Sequence, residues 1–141
     1  MTRIDFYILP QDTAHHRELY ACRVTEKAFN LGHHVYIHSD SAEQTQRLDD
    51  LLWQFSDGSF IPHAPYSQGE PVKVQIGHNS EPMDNTDILI NLAHQAPVFF
   101  SRFERVAEIV DQSPAQKEGA RERFKFYRDR GYDLQHHHIK Q

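Results

Sequence analysis

The sequence predicts a three-layer, mostly parallel α/β fold with a sheet of about five strands flanked by helices. Three observations carry this reading. Short apolar strands alternate with helical patterns along the 141 residues, the order expected of β-α-β units. The run Ile88-Leu-Ile-Asn-Leu92 is almost continuously apolar, as a central strand covered on both faces must be. Helical segments open with S-x-x-Q spacing at Ser41 and Ser113, where a serine oxygen accepts an orphan amide and the glutamine reaches back.

In order, residues 3–9 (RIDFYIL) mix apolar and β-favouring side chains and stop at Pro10, predicting a first strand. Ala21, Val24, Ala28 and Leu31 recur at helical spacing over 15–31, and Gly32 follows where a helix end favours positive φ. Residues 35–37 form a short buried strand. A helix begins at the Ser41 box, with Leu48, Leu51, Leu52 and Phe55 on one core-facing stripe and Trp53 off it. Residues 56–70 are rich in Ser, Gly and Pro and read as a long ordered loop. Val72, Val74 and Ile76 alternate with polar residues, which predicts a half-buried strand near an edge. Residues 106–110 add a strand, and Phe99, Phe100 and Phe103 before it read as core. After Ser113 and Pro114 the last helix runs to Arg130, ahead of Gly131. Residues 1–141 are expected to be a single domain, with 135–141 a flexible polar tail.

Hydrophobic content of 38% and charged content of 25% lie in the globular range and away from disorder. One cysteine, Cys22, allows no internal disulfide and fits a reducing compartment, so a cytoplasmic location is expected. No apolar window approaches a membrane span. Residues 1–116 hold 8 Lys/Arg against 16 Asp/Glu, while residues 117–130 hold 6 against 3. A basic island on an acidic body disfavours general duplex binding and suits a localised acidic ligand; contact with DNA is expected to be mainly indirect.

Glycines at 32, 58, 69, 77, 119 and 131 form no phosphate-cradling loop, so no cofactor is expected. Neighbouring histidines at 15–16, 33–34 and 136–138 lack ligand spacing, and no nucleophile elbow is present. The last helix is more ordered in its chemistry. At about 100° per residue, Lys117, Arg121, Phe124, Lys125 and Arg128 fall within an arc of about 100°. Either Phe124 belongs to the core with cations bordering it, or the arc holds an apolar side chain on the ring while Arg and Lys bind a carboxylate. Trp53 and the loop at Phe60-Ile61-Pro62-His63 offer a second choice, between an anchor tucked into the core and an exposed aromatic face for a partner. The rival to a binding module is a small nucleotide-dependent transferase using the carboxyl edge of the sheet.

The chain resembles the chi subunit of bacterial DNA polymerase III holoenzyme. The resemblance is carried by FYIL at 6–9, GHHVYIH at 32–38, RLDDLLW at 47–53, SFIPH at 59–63, ILINL at 88–92, FFSRFERVAEIVD at 99–111 and ARERFKFYRDRGYDL at 120–134, nearly end to end. It implies a Rossmann-like, non-catalytic accessory subunit of the clamp-loader assembly in DNA replication. It further implies partnership with the psi subunit, or with a competing repair helicase, and with the acidic C-terminal tail of single-stranded DNA-binding protein at replication forks on the nucleoid. Carried over by position, the tail-binding residues are Lys117, Arg121, Phe124, Lys125 and Arg128. The psi or helicase contact falls around Trp53, Phe60, Pro62 and His63. Phe124 stands where a relative carries tyrosine, which keeps the stacking face and removes a hydroxyl.

Overall fold

A computed structural model describes residues 1–56, 60–66, 72–82 and 86–140. The elements run β1 (Arg3–Ile8), α1 (Ala14–Asn30), β2 (Val35–His38), α2 (Ala42–Gln54), β3 (His63–Pro65), β4 (Val74–Gly77), β5 (Ile88–Asn91), a 3-10 turn (Phe100–Arg102), β6 (Arg105–Val110), α3 (Pro114–Asp129) and β7 (Asp133–His138). All strands join one sheet in the order β3-β4-β2-β5-β6-β1-β7, and every pairing is parallel. The α/β class holds, with seven strands among the described residues in place of about five.

Both extra strands lie at the edges. β3 has three residues and includes Pro65, too short for a period-2 pattern. β7 reads Asp-Leu-Gln-His-His-His, polar on both faces. Residues 135–138 are therefore paired to β1 through the register Asp5–Gln135 to Ile8–His138; the expectation of a flexible tail from 135 is corrected for them, while Gln141 lies outside the described residues. The strand expected half-buried near an edge is fully buried as β4, because β3 covers its outer side. Of the 56–70 loop, residues 57–59 and 67–70 lie outside the described residues.

Strand alternation sends successive side chains to two cores. Val35, Ile37, Val74, Ile76, Ile88, Ile90 and Ile109 meet Ala21, Cys22 and Ala28 of α1 and Leu48 and Leu52 of α2. On the opposite face Ile4, Phe6, Tyr36, Leu89, Val106 and Val110 meet Tyr127 of α3 and the Phe99, Phe100 and Phe103 cluster. The three phenylalanines are core, as expected. Leu31 is not: it is 69% exposed, having become the C-cap beyond the helix.

The ends of α1 and α3 use the same device. Gly32 and Gly131 have φ of 91° and 80°, and the next amides, of His33 and Tyr132, donate back to Ala28 and Tyr127, a paired closure that needs a left-handed residue. At α2 the Ser41 hydroxyl accepts from Gln44 N–H, and Gln44 Oε1 accepts from Asp40 N–H. At α3 the expected box is absent. Ser113 donates its hydroxyl to Asp111 Oδ1 at 2.6 Å, and Gln116 Oε1 is buried without a partner.

Candidate functional site

α3 leaves β6, passes over β1 and returns the chain to β7, so one of its faces overhangs the β1–β7 edge. Between them lies a groove of about 680 Å³, lined by Phe6, Ile8, Val110, Gln112, Lys117, Ala120, Arg121, Phe124, Lys125, Arg128, His136 and His138. All five residues of the predicted arc reach this one groove. Phe124 is half-buried. Its ring stacks on His136 with centroids 4.8 Å apart and meets the edge of Phe6 at 5.7 Å, which leaves it both anchored and available as a floor.

The rim is cationic. Lys117, Arg121, Lys125 and Arg128 are exposed, and among the described residues no acidic side chain lines the groove. Arg128 touches Asp129 at 3.4 Å with both side chains more than half exposed, a contact worth little. Among the described residues the side chains of Lys117, Arg121 and Lys125 have no hydrogen-bond or ion-pair partner. Phosphate or carboxylate ligands suit such unpaired donors beside an apolar floor.

The inner face of α3 spends its charge differently. Arg123 donates from Nε to Glu108 Oε1 at 2.8 Å and from Nη1 to the His94 carbonyl at 2.8 Å. Tyr127 and Asn91 donate to Glu108 Oε2 at 2.6 and 2.9 Å, and Glu108 is wholly buried. Burial first, then the Glu108 carboxylate, pushes the Tyr127 hydroxyl well above its ordinary range. Gly119 lets the helix approach: a Cβ there would lie 3.1 Å from Arg123 Nη1 and 3.2 Å from His94 Cε1.

The second predicted cluster sits at the opposite sheet edge. Phe60 is 70% and Trp53 47% exposed, with ring centroids 5.4 Å apart, and Pro62 is exposed. His63 is buried. Its Nδ1 lies 2.6 Å from the Ile61 carbonyl oxygen and its Nε2 2.9 Å from that of Asp49, while its ring lies 4.2 Å from that of Trp53. The histidine supports the aromatic face from beneath, with Ile61 as the buried anchor.

Elsewhere the chemistry is muted. Burial pushes the Cys22 thiol up to about 12, so the thiolate nucleophile is scarce. The crevice at the carboxyl ends of β2 and β5 holds His38, Ser39, Asp40 and His94, and Asp40 there accepts the His94 amide. Among the described residues no group of three His, Cys, Asp or Glu is placed to hold a metal ion, and no helix is long and apolar enough to cross a membrane. The histidine triplet divides by strand period: His136 and His138 enter the groove, whereas His137 turns to Asp5 on the other face, at 2.9 Å. Reading 135–141 as a tail concealed these two groove residues; the i, i+2 spacing of a strand would have revealed them.

A family model described as DNA polymerase III chi subunit, HolC, matches residues 1–135. A curated relative from Pseudomonas aeruginosa, DNA polymerase III subunit chi, is 42% identical over 139 residues, covering 99% of this chain and 98% of the relative. Relatives of the same description from Haemophilus influenzae and Escherichia coli are each 30% identical over 132 and 142 residues, covering 92% and 95% of this chain and 92% and 96% of their own. Among solved structures, that titled "The crystal structure of T4 UvsW" superposes with a TM-score of 0.68 at 11% identity, over 98% of this chain and 41% of that one. That likeness is one of fold.

Proposed function

The chain belongs to the DNA polymerase III chi subunit family, an accessory subunit of the replicative polymerase, and from that premise we propose that it acts as a two-sided adaptor in the clamp-loader assembly. The groove between α3 and β7 takes the acidic, phenylalanine-ending C-terminal tail of single-stranded DNA-binding protein. The Trp53–Phe60 face takes the psi subunit, or a repair helicase competing for it. The observation that carries the reading is the convergence of Lys117, Arg121, Lys125 and Arg128 around Phe124 in one groove that no acidic side chain lines among the described residues. A terminal phenylalanine ring would rest on Phe124 and His136, and its carboxylate would be held by Arg121 and Lys125. Contact with DNA is indirect, through that tail, which places the protein at forks on the nucleoid.

Position supports two simultaneous partners. The groove lies at β7 and the aromatic face beside β3, the two ends of the sheet, six strand spacings or roughly 29 Å apart. Neither occupant obstructs the other. Two charge-assisted hydrogen bonds at about 1.5–3 kcal/mol each and one buried phenylalanine at about 1.5–3 kcal/mol give roughly 5–9 kcal/mol before ordering costs, which makes the contact micromolar at best.

Calorimetry on the full chain with an acidic phenylalanine-terminated peptide tests the groove. Arg121→Ala and Lys125→Ala are each expected to weaken binding at least about tenfold, and added salt to weaken it further. Unchanged affinity in both variants would refute the assignment.

A further inference from the structure

The two edges of the sheet are defended unequally. β3 is three residues long and carries Pro65, which has no N–H to offer a neighbour; short length and proline are ordinary protections of an edge. β7 has six residues and no proline, lysine or arginine, and its strand backbone pairs with β1 alone. Which main-chain groups stay open follows from the ladder. Ile139 N–H donates to the Ile8 carbonyl at 2.9 Å, and Ile8 lies opposite His138. In a parallel pair alternate residues turn their N–H and C=O to opposite sides. Gln135, His137 and Ile139 therefore face β1, while the N–H and C=O of Leu134, His136 and His138 face outward. Among the described residues these outward groups have no partner.

The same alternation places the His136 and His138 side chains in the groove. The open backbone edge and the cationic groove are thus contiguous, and share two residues. Charge along most of the edge fits the same ligand: β7 opens with Asp133, and residues 134–140 after it contain Lys140 and three histidines and no carboxylate side chain.

We infer that β7 is a template for strand addition. An acidic peptide whose terminal residue occupies the groove continues, through the segment preceding that residue, as an extended eighth strand on the outer edge of β7. Main-chain hydrogen bonds to Leu134, His136 and His138 then add affinity that depends little on the peptide's sequence, and the peptide covers the one edge left unguarded. This inference rests on the groove reading given above but can fail without it.

The test uses the full chain with three synthetic peptides sharing an acidic, phenylalanine-ending terminus. One has four residues, one has ten, and one has ten with the upstream backbone amides N-methylated. The ten-residue peptide is expected to bind at least about fivefold tighter than the short one, the value of two net hydrogen bonds. N-methylation should return its affinity to that of the short peptide. Amide hydrogen exchange read by NMR should slow at least about tenfold at Leu134, His136 and His138 with the long peptide only, while Gln135, His137 and Ile139 stay protected throughout. Equal affinity for all three peptides, with the outward amides exchanging as in the free protein, overturns strand addition and leaves the groove standing. Failure of every peptide to bind overturns both. Outward amides already protected before peptide is added would show that a second copy occupies the edge, which also overturns it.

Discussion

α3 carries two kinds of cation, and the difference between its faces separates structure from function. Arg123 is 5% exposed and fully engaged with Glu108 and the His94 carbonyl. Two residues earlier and two later, Arg121 and Lys125 stand exposed with no partner among the described residues. A buried charge without partners would unfold the domain, so Arg123 is committed to the fold. Exposed like charges clustered on one arc beside an aromatic floor add little to stability and repel one another. Their concentration around Phe124 in one groove is the observation on which the proposed peptide site rests. β7 repeats the contrast by strand period, with His137 tied to Asp5 and stacked on Tyr7 and its neighbours His136 and His138 open to the groove.

The sharpest way to break this contrast is to exchange the roles. Arg123→Ala strands Glu108 and is expected to cost about 3–5 kcal/mol in chemical denaturation; a loss below about 1 kcal/mol would mean that the inner face is not committed to the fold. Asp5→Ala should cost less, about 1.5–3 kcal/mol, by releasing His137, Arg3 and Arg105 together. Burial alone would raise the Asp5 carboxyl, but hydrogen bonds from His137 and Arg105 and the charges of Arg3 and Arg105 outweigh it and hold it below its ordinary value. Its folded pKa being the lower one, this contribution is complete above the ordinary carboxylate pKa of about 3.9 and is lost as pH falls through the depressed folded value. The protection of the β7 amides, taken relative to their intrinsic exchange at each pH, should fall over that window in the wild type and show no such step in Asp5→Ala.

Arg121→Ala and Lys125→Ala should lie at the other extreme for folding, within about 0.5 kcal/mol of wild type, despite the large effect expected on peptide affinity. A substantial loss of stability in either would erase the distinction between the faces. Phe60→Ala should have the smallest effect of all on the groove: stability within about 0.5 kcal/mol and unchanged tail-peptide affinity, with loss of binding confined to a partner of the β3 edge. Reduced peptide binding in that variant would show that the two edges are not independent.

Much of this was legible before the structure. Ile88–Leu92 announces a central strand because both its faces are apolar, and the arc on α3 announces a shared face because helical period is regular. The edges were hard to read for a physical reason. An edge strand has few buried side chains, so β7 carries no hydrophobic alternation, and β3 is too short to show any. His136 and His138 were missed with β7. The depth of Phe124 also needed tertiary packing: only the crossing of α3 over β1 shows that it rests on Phe6 and His136 while lining the groove. Ser113 misled because Asp111, two residues upstream, captures the hydroxyl that helical spacing assigns to the cap.

The α3–β7 groove is proposed to recognise a terminal carboxylate on an acidic, phenylalanine-ending peptide. Calorimetry of the wild-type chain with that peptide and with its C-terminally amidated twin tests it directly, since the two differ only in the group that Arg121 and Lys125 would hold. Binding of the free acid, micromolar at best, with at least about tenfold weaker binding of the amide is the predicted result; equal affinity for the two would contradict it.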